Sequence, residues 1–279
     1  MSKSVIIEKY NPQWPVFFEK EAQKIKSVMK ENAVEIHHVG STSVPFLAAK
    51  PIIDIILTTR DLNSARKFLI SKKLGYRYKG EYNLPLRDLY GKKDEFEIYL
   101  HVHRVDSPEI ELNLLFRNYL RNHQEARKQY EAIKLAASSQ PKAAEKVETG
   151  ITKYNLMKND FIVSILKKAG FSGVCPRFVT QKAEAKFFNM VKDKFSPNSH
   201  ITKNSSLSEQ NPKKIILYKG TELIGAAEIV EVTPGRFSIN FAWTNDNEKL
   251  LKKFSRTLED WIKIRTPSTV FETNTLILP

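Results

Sequence analysis

A single cysteine, Cys175, stands in 279 residues, so no disulfide can form within the chain and a cysteine-based zinc site is excluded. Long apolar runs are also missing: none approaches the roughly 18 residues that span a bilayer. The stretch Met1–Tyr10 lacks the apolar core of a secretory signal. These absences point to the cytoplasm and away from a membrane partner. Acidic residues are in deficit, with 31 Asp and Glu against 45 Lys and Arg, a formal net charge of +14. The excess is spread, 29 basic against 20 acidic residues up to Gly170 and 16 against 11 beyond it. Such a chain favours anionic partners (phosphates, cofactor tails or RNA) without choosing among them, and a solvated lysine-rich surface explains the same charge equally well.

What is present is a soluble globular composition, 41% hydrophobic and 27% charged, long enough for one large domain or two ordinary ones. Ile6 opens a short strand that breaks at Asn11-Pro12. Pro15 then sits early in a helix carrying Phe17, Phe18, Ala22, Ile25, Val28 and Met29 at helical spacing to about Lys30. Val34, Ile36 and Val39 read as a strand ending at a Gly-Ser turn, and a second strand starts at Ile52. Asp61 is a plausible N-cap for a helix with Ala65, Phe68 and Leu69 inward. A loop holding Pro85, Arg87 and Gly91 leads to an alternating strand over 97–103. Ile110 to about Ala137 is helical with a break at Asn122-His123. A continuous helix is expected from Gly150 to Lys168, with Tyr154, Met157, Phe161 and Ile165 inward and Lys153 and Lys158 more exposed.

A helix over 180–192 follows, then a polar stretch over 196–214. Strands over 215–218 and 223–232 form a hairpin, and 236–243 adds a third strand. The Leu250, Phe254, Leu258, Trp261 stripe marks a helix, and 269–278 a last strand.

The chemistry concentrates on His38-Val39-Gly40-Ser41-Thr42-Ser43-Val44-Pro45 and the following Lys50-Pro51-Ile52-Ile53-Asp54-Ile55-Ile56. A small-residue turn lets backbone N–H groups approach phosphates, and a carboxylate on the next strand can take the accompanying cation. Nucleotidyl-transfer sites usually carry two carboxylates at i and i+2 on one strand, so that both face the cleft. Here Asp54 is present and the i+2 position is Ile56, which cannot ligate metal. Glu97 or Glu111 could supply another carboxylate. His101 and His103 share a strand face, suited to metal binding, phosphate contact, general acid–base work or simple hydrogen bonding to neighbours. Arg117 and Arg121, four apart on a helix, could clamp a phosphate or pair with Asp54, Glu97 or Asp88. Lys50 could neutralise a phosphate or lie on the surface. Asp54, in an apolar run, needs a partner whatever its role.

With those blocks in view, residues 5–168 resemble the GrpB family, a bacterial group similar in fold to nucleotidyltransferases. The resemblance rests on Tyr10-Asn11-Pro12-Gln13-Trp14-Pro15, the His38–Pro45 and Ala48–Ile55 blocks, Phe116-Arg117-Asn118-Tyr119-Leu120-Arg121, and Tyr154 with Lys158 and Phe161. The family usually has Gly in place of Phe46 and Asp in place of Asn118. It implies a nucleotidyltransferase-like mixed sheet with flanking helices, an α+β or α/β class, and a link to CoA metabolism through fusion to dephospho-CoA kinase. Residues 176–279 resemble a degenerate, truncated GNAT acetyltransferase. A working GNAT grips pyrophosphate with a Gly-rich turn, whereas Asn245-Asp246-Asn247-Glu248 has no glycine and two acids, so acetyl-CoA is not expected to bind.

The expected organisation is two domains, 1–170 and 176–279. The expected ligand is a nucleotide or another phosphorylated small molecule, with Mg or Mn accompanying a nucleotide; a protein partner is a further expectation, and nucleic acid has no specific support. Asp54, His101 and His103 are the candidate catalytic residues, with Asp54 and Glu97 as metal ligands. Gly40, Ser41, Ser43, Lys50, Arg117, Arg121 and Lys158 are the candidate phosphate contacts.

Overall fold

The computed structural model describes residues 5–70, 74–81, 84–146, 152–179, 182–192, 213–243, 248–266 and 269–277. The chain divides into two compact units, one of 1–82 with 86–173 and one of 83–85 with 174–279.

The first unit begins with α1 (Gln13–Met29), whose Trp14, Phe18, Ala22, Ile25 and Met29 recur on one face and are buried. Then come β1 (Glu35–Val39), β2 (Ile52–Thr59) and α2 (Leu62–Ile70). Asp61 caps α2 as its sequence suggests, accepting from the N–H groups of Asn63 at 2.9 Å and Ser64 at 3.3 Å. β3 (Arg77–Gly80), β4 (Arg87–Lys93) and β5 (Glu97–Arg104) follow, then α3 (Pro108–Asn122), α4 (Gln124–Ser138), α5 (Lys153–Leu156) and α6 (Asn159–Lys168). The break between α3 and α4 falls at His123, as expected.

The sheet order is β1-β2-β5-β4-β3, with β2 and β5 parallel and every other pair antiparallel. This is the mixed sheet with flanking helices expected of the chain. Its two faces differ in character. Ile53, Ile55 and Leu57 with Ile98, Leu100 and Val102 are buried on the face that meets α1 and α2. Asp54, Ile56 and Thr58 with Tyr99, His101 and His103 fall on the other face by the strand period of two. There Val39 and Ile56 pack against Ile110 of α3.

Two expectations need correction. The segment around Pro85, Arg87 and Gly91 was expected to be a loop, yet Arg87 to Lys93 pairs with β5 along its length. Pro85 lies just before the strand, where its missing N–H does no harm, and the Cβ-less Gly91 leaves room for the aliphatic chain of Lys79. The helix expected from Gly150 to Lys168 is two pieces broken at Met157-Lys158, and residues 147–151 lie outside the described ones. The break turns Met157 outward (46% exposed) and Lys158 inward, the reverse of a continuous helix.

The second unit contains β6 (Val174–Phe178), α7 (Lys182–Lys192), β7 (Lys213–Lys219), β8 (Glu222–Thr233), β9 (Arg236–Trp243), α8 (Glu248–Lys263) and β10 (Val270–Ile277). Its sheet runs β10-β9-β8-β7-β6, with β10 parallel to β9 and the rest antiparallel. Phe188 of α7 packs on Ile216, Ala226 and Ala242. Trp261 of α8 meets Phe178 edge-on at 5.6 Å, and Phe178 pairs with Ile215, on the opposite face. β6 had no sequence signal, since Pro176 interrupts it; as an edge strand it tolerates the proline. The expected polar stretch over 196–214 lies largely outside the described residues.

A buried ion pair ties α2 to the first sheet. Arg66 donates to both oxygens of Asp88, at 2.5 and 2.7 Å, and the Asp88 side chain is almost fully buried. Removing the guanidinium leaves an uncompensated buried carboxylate, so Arg66→Ala should destabilise the protein by about 3–5 kcal/mol, read by urea unfolding, whereas an exposed pair would lose under about 1 kcal/mol.

Candidate functional site

The site is built at the end of β1. Gly40 has φ +68° and ψ −173°, a conformation essentially reserved for glycine, and a Cβ placed there would lie 2.4 Å from Asp54 Oδ2. The backbone of the turn and the carboxylate on β2 therefore touch because residue 40 has no side chain. A single helical turn, Ser41–Ser43, follows. Ser43 Oγ closes it on Gly40 O at 2.6 Å.

The turn is pinned from two sides. On one, Thr42 Oγ1 donates to Ile52 O at 2.9 Å, so it accepts from His38 Nε2 at 3.1 Å. His38 stacks on Phe18 at 4.8 Å, and burial, then Arg121 and Arg117, depress its pKa to about 3. On the other side, Arg117 Nη1 donates to His38 O at 2.8 Å, and Arg121 Nε and Nη2 donate to Ser43 O at 3.0 and 2.7 Å. Neither arginine's bonds reach Asp54, Glu97 or Asp88; both brace the main chain of the loop. Asn118 accepts from Arg117 Nε at 3.0 Å.

Asp54 has a polar chain behind it. His101 Nε2 lies 3.3 Å from Asp54 Oδ1, and Arg87 Nη1 lies 3.5 Å from His101 Nδ1. Arginine can only donate, so Nδ1 accepts and Nε2 carries the proton toward Asp54. Arg87 is itself held by Glu81 O at 2.9 Å. His103, one step along the same strand face, is buried and bonded to Ser107 Oγ at 3.2 Å, away from Asp54. Glu97 pairs with Lys79 at 4.0 Å.

In front of Asp54 the charge is positive. Lys50 Nζ and Lys158 Nζ lie 4.1 and 4.2 Å from the centre of the Tyr154 ring. Lys158 is within electrostatic reach of both Lys50 and Asp54; burial first, then Lys50, lowers its pKa to about 7. Burial also lowers the Lys50 pKa, against the pull of Asp54 and Glu97. Lys134 stands behind, donating to Ala48 O and depressed to about 7 by burial and then by Lys158. Tyr130, buried beneath and held neutral by burial, is hydrogen-bonded to Ser41 and stacked on Phe161 at 5.3 Å. Among the described residues neither Lys50 nor Lys158 has a carboxylate within ion-pair distance. Burial costs the charged form of Lys158 more than the distant Asp54 carboxylate returns.

Of the sequence candidates, Gly40, Ser41, Lys50, Asp54, His101 and Lys158 come together here. Ser43, Arg117 and Arg121 support the loop, His103 turns to Ser107, and Glu97 pairs with Lys79 and reaches the site only through its charge on Lys50. Tyr154, Tyr130, Lys134 and Arg87 were not singled out as site residues. A lysine four residues after Tyr130 on the apolar face of α4 was the available signal for Lys134. Among the described residues no three His, Cys, Asp or Glu side chains gather as a metal site. One carboxylate flanked by a histidine and two lysines does not fit a protein-held metal pair.

The GrpB protein family matches residues 4–168, more than half of the chain. The UPF0157 protein YqkA of Bacillus subtilis is 36% identical over 140 residues, 50% of this chain, which spans only 41% of that relative's length. The UPF0157 protein BH1888 of Halalkalibacterium halodurans is 33% identical over 167 residues, covering 60% of this chain and 83% of that one. The crystal structure of conserved protein GrpB from Enterococcus faecalis superposes with a TM-score of 0.52 at 35% identity, over 59% of this chain and 96% of that one. The chain belongs to the GrpB family.

Two outcomes test this geometry. Gly40→Ala forces a side chain into the Asp54 carboxylate and a strained backbone, at about 1–3 kcal/mol for the backbone alone, so its thermal midpoint should fall clearly below that of Ser41→Ala. His38 is neutral in the folded state down to about pH 3, while the unfolded chain binds its proton below about 6.5. Stability from this group is complete above pH 6.5 and declines by ~1.4 kcal/mol per pH unit below it. His38→Gln should flatten the denaturation free energy between pH 6 and 4 by about that slope.

Proposed function

We propose that this GrpB-family protein binds a phosphate-bearing small molecule, foremost a nucleotide, between the Gly40-Ser41 turn, Asp54 and the Lys50–Tyr154–Lys158 cluster. The observation that carries the reading is the pair of lysine ammonium groups on one tyrosine ring, neither with a carboxylate within ion-pair distance among the described residues. A dianionic phosphate supplies the missing charge and accepts from both lysines. Nucleotidyl transfer is the activity this layout supports best. As the attacking hydroxyl oxygen bonds the α-phosphorus and the bond to the leaving pyrophosphate breaks, Asp54 accepts the hydroxyl proton, and His101, oriented by Arg87, holds the carboxylate in place. Lys50 and Lys158 neutralise charge on the phosphates. Mg or Mn enters only as the companion of a nucleotide, and no step depends on it.

A second reading is a non-catalytic accessory protein that docks a phosphorylated ligand or a partner of CoA metabolism. Ile56 favours it: the position of a second metal carboxylate is buried against Val39 and Ile110. An acetyltransferase role for residues 176–279 has the least support, since the sequence over 244–248, where a pyrophosphate-gripping turn would need glycine, contains none and carries Asp246 and Glu248.

Calorimetric titration with pyrophosphate, ATP, CTP, GTP and CoA, with and without magnesium, tests the reading. Because Lys158 is depressed to about 7, anion binding at pH 8 should take up a proton, seen as a buffer-dependent heat, and affinity should fall as pH rises through 7. Lys158→Met should weaken binding about 10- to 150-fold, the loss of one charge-assisted hydrogen bond of ~1.5–3 kcal/mol. Binding without turnover selects the accessory reading, turnover unchanged in Asp54→Asn removes the role given to Asp54, and no anion binding removes the phosphate site from both readings.

A further inference from the structure

Away from the cleft, the loop after the Ser41–Ser43 turn carries a feature the phosphate site does not use. Phe46 has φ +67°, the left-handed region, and its ring is 77% exposed. For a bulky side chain this is an outlier: the backbone is strained, yet the ring gains almost no burial from it. Three neighbours frame it. Tyr10 lies 6.0 Å away at a 44° tilt, itself buttressed edge-on by Trp14 at 5.6 Å. The Arg127 guanidinium lies 5.8 Å from the Phe46 ring centre and is steadied by Leu120 O at 3.3 Å. Arg121, exposed at the end of α3, is held at Ser43 O, three residues before the ring.

An exposed aromatic ring with one arginine beside it and a second bonded to the same loop, on a chain of net charge +14, has the composition of a surface on which unpaired bases stack while the backbone phosphates meet cations. Its openness decides between sources of the base. A free nucleotide is held by pockets that enclose most of its surface, whereas a strand needs only a platform and charge along its path. We propose that Phe46, with Tyr10, Arg121 and Arg127, is a stacking platform for a base of single-stranded nucleic acid. The platform is independent of the phosphate seat at Lys158, and either can fail without the other.

The test uses the full chain and a fluorescein-labelled oligothymidylate of about 15 nucleotides, close to the upper site size of a single-stranded binding module. Anisotropy should show binding to this strand and weaker binding to an abasic strand of equal length. Phe46→Gly should lower the affinity about 5- to 150-fold, the range for one lost stacked base, while Phe46→Trp retains it. Phe46→Gly also relieves the left-handed strain, so its melting temperature should rise by roughly 2–4 °C as affinity falls, which separates lost stacking from lost folding. Equal binding to the abasic strand, unchanged affinity in Phe46→Gly, competition by thymidine monophosphate as effective as by the strand, or no strand binding by the unaltered protein would each overturn the proposal.

Discussion

The contact on which the first unit's site depends is the approach of a backbone to a carboxylate. Where β1 ends, no side chain fits at residue 40, because the place of a Cβ on Gly40 is filled by Asp54 Oδ2. Pairing of Val39 with Asp54 sets this meeting, and the glycine conformation then sends the chain into the Ser41–Ser43 turn. What keeps the turn there is a set of bonds to its own main chain. Arg117 and Arg121 satisfy the carbonyls of His38 and Ser43, while His38 and Thr42 close the far side onto β2. Two arginines that look like phosphate ligands thus serve the loop on which a ligand would rest.

That division of labour explains how much could be read in the sequence. The alternation from Glu97 to His103 and the helical stripes of α1, α3 and α8 show hydrophobic periods directly, and they form as expected. The Gly40-Ser41 turn and Asp54 were legible because small residues and a lone acid in an apolar run are conspicuous. β4 was hidden by Pro85 and Gly91, whose effects depend on where the partner strand begins. Lys158 was misjudged for a similar reason. Its inward course follows from a break between α5 and α6 that no proline or glycine marks. The roles of Arg117 and Arg121 were open because an arginine's partner, carboxylate, carbonyl or ligand, is set by tertiary placement.

The electrostatics of the first unit follow one pattern. On the face beneath α1 and α2, buried charges are compensated: Asp88 by Arg66, and Glu21 by Lys92 and Tyr76. On the Asp54 face the balance tips. Lys50, Lys134 and Lys158 crowd around Tyr154 and Tyr130, and burial works against their charge. A fold that compensates its structural ions and leaves Lys50 and Lys158, among the described residues, without a carboxylate in ion-pair distance is suited to receive an anion, which would favour their charged forms. The carboxylate, histidine and arginine behind it give that anion's neighbour a proton acceptor with fixed orientation.

The most direct measurement is of Lys158 itself, by NMR of side-chain amino groups in lysine-labelled protein, assigned with Lys158→Arg and titrated with inorganic pyrophosphate. An anion seat requires Lys158 to titrate near 7 in the free protein and to shift upward by at least about one unit as pyrophosphate binds, since a bound dianion favours the charged form. A lysine that titrates near 10.4 and does not respond to pyrophosphate would contradict the claim that this cluster is a site.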